Sequence, residues 1–184
     1  GKIFNKEELE FIAETAIEND LLVLSDEVYE FLTFDGEAHI PIATLPGMRD
    51  RTVTVSSTGK TFGMTGWKIG YACASEELTD ALRKVRQWTT FAVNTPGQKA
   101  MAYAFSRLDD YLPDFRKLYE EKRDFIYNQL YNTSFRPHLP QGSYFIMVDL
   151  PDGVFKDDVD ASTRLVQEYG VATIPPSVFY AESD

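Results

Sequence analysis

The run Leu21-Leu22-Val23-Leu24-Ser25 most restricts how this chain folds. It is apolar at consecutive positions instead of alternate ones, and it follows directly on a helix signal. A strand that is apolar on both faces suits a parallel sheet with covering layers on each side. The preceding stretch, 5–18, supplies one such cover. Asn5 stands as N-cap with Glu8 three residues on, a capping-box arrangement. Leu9, Ile12, Ala13, Ala16 and Ile17 then recur at helical spacing and form one apolar face. Asn19-Asp20 ends the pattern.

Two further strands are predicted, at 51–57 (RTVTVSS) and 68–74 (KIGYACA). A second amphipathic helix is predicted over Glu76–Trp88, capped by Ser75, with Leu78, Ala81, Leu82 and Val85 facing inward. The chain changes character near Pro96. It reads as mostly helical to about Asn132, with a break around Leu108–Pro113 and a long connecting helix from Asp114. An alternating strand at 142–150 follows, then a helix over about 157–169 closed by Gly170, then the run VATIP at 171–175. The expected class is α/β: a mainly parallel sheet with helical cover, followed by a smaller α+β unit. The expected division is 1–95, a helical connection over 96–132, and 133–184.

Bulk properties narrow the function classes. With 184 residues, 43% of them hydrophobic, the chain can bury a sizeable core. A net charge of −11 argues against a nucleic-acid partner, which needs a basic surface. No apolar run approaches the ~20 residues that cross a bilayer, and no targeting segment is visible. Cys73 is the single cysteine, so no intramolecular disulfide forms, which fits a reducing compartment. A cytoplasmic or mitochondrial setting is expected. His39 and His138 lack companions at ligand spacing, so no metal site is expected.

Two segments carry residues suited to chemistry. In SDEVYEFLTFDG, Asp26 sits just past the end of a strand, and open α/β sheets bind ligands outside their carboxyl ends. Tyr29 follows three residues on. As plain structure this would be an acidic loop with a packed tyrosine. In VSSTGKTFGMTGWKIG, Ser56, Ser57, Lys60 and Lys68 supply hydroxyls and cations, which suit a phosphate group. Its GKT is not a P-loop, because Thr54 stands where the first glycine of that motif belongs. The plain alternative is a capped, solvated turn.

Taken in order, SDEVY, SSTGKTFGMTGWKIGY, PQGSYF and IPPSVFY resemble the class I/II aminotransferases. The nearest likeness is to kynurenine aminotransferases and cysteine-conjugate β-lyases (the glutamine transaminase K type). The resemblance implies part of a fold type I pyridoxal-phosphate transferase, with pyridoxal 5′-phosphate as cofactor. It implies that Lys60 forms a Schiff base with the cofactor and moves a proton as base and acid. It places Asp26 against the cofactor's ring nitrogen and Tyr29 against its ring hydroxyl. Ser57 and Lys68 match the positions that hold the phosphate. Lysine at 68, where arginine is frequent, offers a point charge in place of a fork. Phe91 matches an aromatic given across a dimer interface to the other subunit's substrate pocket, and Gly142 and Tyr144 are expected near the pocket.

The implied partners are an amino acid, a 2-oxo acid and a second copy of the chain. The implied reaction is transamination of an aromatic, kynurenine-like or glutamine-like amino acid. Alternatives are β-elimination from cysteine conjugates at the same site, or a non-catalytic structural piece. The resemblance spans all 184 residues and less than half of a family chain. Gly1-Lys2 match the end of the family's Asn-Pro-x-Gly-Lys pattern. The ring-contacting asparagine, a glycine loop, the ring-stacking aromatic and the carboxylate-gripping arginine have no counterparts here. The 184-residue chain taken alone is therefore expected to turn over poorly.

Overall fold

A computed structural model describes residues 1–181, so the last three residues of the expected 133–184 unit lie outside the described residues. The chain divides into two compact units. The first comprises Gly1–Glu121 with Gln141–Tyr144, and the second Lys122–Pro140 with the residues from Phe145 onward.

The first unit begins with helix α1 (Lys6–Glu18), whose Asn5–Glu8 capping box forms as read from the sequence. Strands β1 (Val23–Asp26) and β2 (Thr52–Ser57) pair in parallel, with Asp26 opposite Val55. Strand β3 (Gly70–Cys73) runs antiparallel to β2, so the three-stranded sheet is mixed, in the order β1-β2-β3. Between β2 and β3 lies the short helix α2 (Thr58–Thr61). Helices α3 (Glu76–Thr89) and α4 (Thr95–Phe105) follow, then the long α5 (Leu108–Tyr131).

Two apolar clusters hold this unit. Leu9, Ala13 and Ala16 of α1 pack on Ile42, Leu45 and the fully buried Met48. Arg51 ties down the chain after α1, donating to the carbonyls of Leu21 (2.9 Å) and Ala16 (3.4 Å). The second cluster joins Leu32 and Phe34 to Phe115 of α5. Tyr111, Phe115 and Tyr119 recur every fourth residue and form one aromatic face, with ring centroids 5.3 and 4.9 Å apart.

Several sequence expectations need correction. β1 is not covered on both faces: Leu22 and Leu24 are 70% and 72% exposed, because little among the described residues packs on that side. In α3, Ala81, Leu82 and Val85 are exposed, since nothing among the described residues packs on that side. The helix break falls at Ser106–Arg107, and α5 continues through Pro113. The ladder Tyr111–Phe115–Tyr119 and the bond from Arg116 Nε to the Phe31 carbonyl (2.9 Å) hold that first stretch to its neighbours.

The second unit contains the end of α5, a two-residue antiparallel pair β4 (Arg136–Pro137) with β5 (Val148–Asp149), and helix α6 (Asp158–Tyr169). Asp157 caps α6 and Gly170, at φ 69°, ends it. The strand expected over 142–150 shrinks to β5. Gln141–Tyr144 leave to pair in the first unit, and Ser143 at φ 63° breaks the alternation. After α6, Val171 donates to the Leu165 carbonyl at the end of that helix.

A polar cluster ties the sheet to the turn after β1. The Glu30 carboxylate accepts from Ser56 Oγ (2.7 Å) and from the Tyr71 hydroxyl (2.6 Å). Burial and that carboxylate push the Tyr71 phenol up to about 12.

Two outcomes are expected. Met48→Ala should lower the unfolding free energy by about 2–5 kcal/mol in urea melts, the usual cost of emptying a sealed site. Tyr71 holds its proton more tightly folded than unfolded, so its contribution is full below the unfolded value and is lost as pH rises toward about 12. The urea midpoint should therefore fall through that alkaline window, and less steeply in Tyr71→Phe.

Candidate active site

Parallel pairing sends the carboxyl ends of β1 and β2 to the same end of the sheet, with β2 running two residues beyond β1. The register is set by hydrogen bonds from Val23 N to the Arg51 carbonyl and from Glu27 N to the Val55 carbonyl, both 2.8 Å. Asp26 ends β1 and Ser57 ends β2 at that edge. Gly70, opposite Ser57, starts β3 there, with Lys68 two residues before it. Three of the expected site residues, Asp26, Ser57 and Lys68, are thus gathered at one edge by sheet topology, with Tyr29 on the turn beyond β1.

Lys60 rides on α2, which is clamped on both sides. Thr58 bonds through Oγ1 and N to the Ile69 carbonyl (2.6 and 3.1 Å), and the Tyr111 hydroxyl donates to the Thr61 carbonyl (2.9 Å). Ser57 caps α2, accepting from Gly59 N at 3.2 Å. A Cβ on Gly59 would stand 3.0 Å from Thr65 Cα. A glycine there lets the turn carrying Lys68 close on the start of α2. Lys68 itself is exposed and left-handed (φ 54°, ψ 46°), a conformation uncommon for a side-chain-bearing residue.

The Lys60 ammonium lies 5.9 Å from the Tyr29 ring centre and 5.5 Å from that of Tyr144, within cation–π range. The two rings meet edge to face at 5.1 Å. Burial, the hydrogen bond to Tyr144 and the negative charges of Tyr144 and Asp26 together push the Tyr29 phenol above its ordinary value. It stays protonated and able to donate at neutral pH. Burial alone would raise Tyr144 as well. The hydrogen bonds from Lys60 and Tyr29, with the ammonium's charge, outweigh it and hold the Tyr144 phenol below its ordinary value. Asp26 is exposed, with Oδ1 accepting from Val28 N at 3.2 Å.

Tyr144 reaches this group from far along the chain. Ser143 N donates to the Leu32 carbonyl, Phe34 N to the Gln141 carbonyl, and Gly142 bridges Thr33. A Cβ on Gly142 would stand 2.7 Å from the Leu32 carbonyl oxygen, so this approach needs a glycine. Its motif, PQGSYF, placed Tyr144 near the pocket. Its hydrogen bond to Lys60 had no sequence signal, because nothing in the order of residues pairs 144 with 60. Phe91 follows the C-cap of α3 at φ 59° and is 78% exposed. Among the described residues, no hydrogen bond or ring contact ties it to Lys60. His39 bonds Glu27 (2.7 Å) and His138 bonds Asp149 (2.9 Å).

With this geometry in place, residues 1–184 match the family model described as aminotransferase class I and II. The chain belongs to that family. It is 40% identical to the kynurenine–oxoglutarate transaminase of Dictyostelium discoideum over 99% of this chain and 46% of the relative. It is 44% identical to the methionine aminotransferase of Escherichia coli over 89% of this chain and 42% of that protein. The structure of N-succinyldiaminopimelate aminotransferase from Mycobacterium tuberculosis overlays on all of this chain with a TM-score of 0.94 at 37% identity, using 48% of its own length. The fold of this aminotransferase chain is therefore part of fold type I, as read from its sequence. The chain spans about half the length of the curated relatives it matches.

The family depends on pyridoxal phosphate. The residues of this aminotransferase chain suit that group: an exposed carboxylate at a strand end, a protonated phenol, a half-buried amine, a hydroxyl and an exposed cation.

Gly142→Ala should force Tyr144 away from Lys60. The expected loss is about 1–3 kcal/mol, as for other overpacked sites, read by denaturant titration, together with a rise of the Tyr144 titration followed by carbon-13 tyrosine NMR.

Proposed function

We propose that the whole protein transfers the amino group of an aromatic, kynurenine-like or glutamine-like amino acid to a 2-oxo acid, with pyridoxal phosphate held at Lys60. The observation that carries this reading is the meeting of Asp26, Tyr29, Ser57, Lys60 and Lys68 around one sheet edge. Relatives named for kynurenine–oxoglutarate transamination support the substrate class.

Bound pyridoxal phosphate supplies a ring that spreads the negative charge left at a substrate carbon when a proton is removed. The chain's own residues supply the rest. The Asp26 carboxylate, at the end of β1, keeps a ring nitrogen protonated by charge pairing. Tyr29, whose hydroxyl donates to Tyr144 here, would turn that hydrogen toward the ring hydroxyl. The Ser57 hydroxyl, whose oxygen already accepts from Gly59 N, has its own hydrogen to give to a phosphate oxygen, and Lys68 adds charge. The Lys60 amine would anchor the cofactor and, when free of it, would move the proton at the substrate α-carbon as base and then acid. Phe91, exposed and held left-handed, is assigned to the other subunit's substrate pocket in a homodimer. Residues 1–95 are assigned to the cofactor-binding domain, 96–132 to a helical connection and 133–184 to the small domain.

The site assignment is tested by adding pyridoxal phosphate, reducing with borohydride and mapping the modified peptide. Label on Lys60, absent from Lys60→Ala, is expected; label on another lysine would sink the assignment. The reaction is tested by supplying the whole protein with kynurenine, phenylalanine or glutamine and a 2-oxo acid. A new amino acid is expected, whereas pyruvate and ammonia from a cysteine conjugate with no transfer would overturn transamination.

A further inference from the structure

Glu27 follows Asp26 directly, yet it is only 5% exposed. A carboxylate out of water needs hydrogen-bond donors. Side chains alternate along a strand, so Ser25 and Glu27 share the covered side of β1 while Asp26 stands exposed on the other. Ser25 Oγ donates to one Glu27 oxygen at 2.9 Å, and His39 Nε2 donates to the other at 2.7 Å. Among the described residues, no other side chain bonds this carboxylate. His39 is thus the donor that comes from another segment, and its neighbour Ile40 packs on the apolar cluster of Leu9, Ile42 and Met48. The Glu27 backbone is engaged as well. Its N–H donates to the Val55 carbonyl (2.8 Å), and its carbonyl accepts from Glu30 N (3.0 Å), which closes the turn 27–30. Val28, inside that turn, donates its N–H to Asp26 Oδ1 at 3.2 Å.

We propose that His39 is a positioning residue for Asp26, acting through Glu27: its hydrogen bond holds the Glu27 carboxylate, and with it the turn whose Val28 N–H aims the Asp26 side chain. The proposal rests on the reading of Asp26 as the partner of the cofactor's ring nitrogen. Asp26 is exposed, and among the described residues Val28 N is its one hydrogen-bond donor. A carboxylate so lightly held keeps one rotamer only while that donor stays in place. Removing the His39 donor leaves one oxygen of a buried carboxylate unpaired, and drawing Glu27 toward water relieves that cost. Glu27 and Val28 are adjacent, so the movement displaces the Val28 N–H and frees Asp26 to turn away. Phenylalanine at 39 keeps a ring and has no donor. Glutamine loses the ring and keeps a side-chain N–H of similar reach.

The test uses the whole protein and two ligands that lack the aldehyde. One is pyridoxine 5′-phosphate; the other is its analogue with a carbon–hydrogen group in place of the ring nitrogen. The first can pair with Asp26 and the second cannot, so the ratio of their dissociation constants reads the Asp26 contact. The unaltered protein is expected to prefer pyridoxine phosphate by about tenfold or more, the usual worth of a hydrogen bond to a charged group. In His39→Phe the preference is expected to fall to within about threefold while the carbon analogue binds as before. His39→Gln is expected to recover most of the preference. A full preference in His39→Phe would overturn the role of His39 and leave the cofactor site standing. A loss in His39→Gln equal to that in His39→Phe would assign the effect to the ring instead of its hydrogen bond, which also overturns it. Binding of neither ligand by His39→Phe would show a merely structural residue, with the same consequence. An unaltered protein that binds both ligands equally would bring down the reading of Asp26, and this proposal with it.

Discussion

Everything at the candidate site depends on the parallel pairing of β1 with β2. Hydrogen bonds from Val23 to Arg51 and from Glu27 to Val55 fix the register, so Asp26 and Ser57 reach the same edge. A slip by one residue would turn every side chain of β1 to the opposite face. Asp26 would then point away from the turn that carries Tyr29. The antiparallel return of β3 adds the third element at this edge and brings the Lys68 turn with it. Buried Thr58 and Thr61, above the sheet edge, keep α2 from shifting, and Lys60 inherits that rigidity.

Two long-range approaches complete the site, and each depends on a small residue. Gly59 lets the Lys68 turn close on α2, and Gly142 lets the backbone near Tyr144 lie against Leu32. Among the described residues, three of the five non-glycine residues with positive φ are Lys68, Phe91 and Ser143. Such backbone is held in place only where neighbours over-determine it, and here it coincides with proposed functional positions or their immediate neighbour. The Glu30–Ser56–Tyr71 cluster adds a polar brace between the turn after β1 and the other two strands. The site therefore rests on a sheet, a clamped short helix and a tyrosine delivered from more than eighty residues further along the chain.

Local signals were the most legible part of the fold. The Asn5–Glu8 box, the apolar stripe of α1, the Gly170 end of α6 and the three sheet strands all depend on neighbours within a turn or a strand. The misreadings share a cause. Leu22, Leu24, Leu82 and Val85 have the pattern of covered positions but stand exposed, because periodicity states which side of an element is apolar and not what lies against it. The alternation across 142–150 looked like one strand. Its first residues instead find backbone partners at Leu32–Phe34, and Ser143 turns the chain between the two pairings. Helix α5 runs through Pro113, where the sequence suggested a break, because side-chain contacts on either side of the proline hold that stretch.

By itself the sequence determined the family, the α/β class and the set of residues able to hold a phosphate, pair with a ring nitrogen and offer an amine. Those follow from residue type and spacing within short motifs, which survive without knowledge of the rest of the chain. Only the tertiary structure decided that β3 returns antiparallel, that α2 is pinned between Ile69 and Tyr111, and that Lys60 bonds Tyr144. The reason is physical: hydrogen bonds and ring contacts between residues 60 and 144 depend on where folding brings two distant segments, and no local periodicity records that distance.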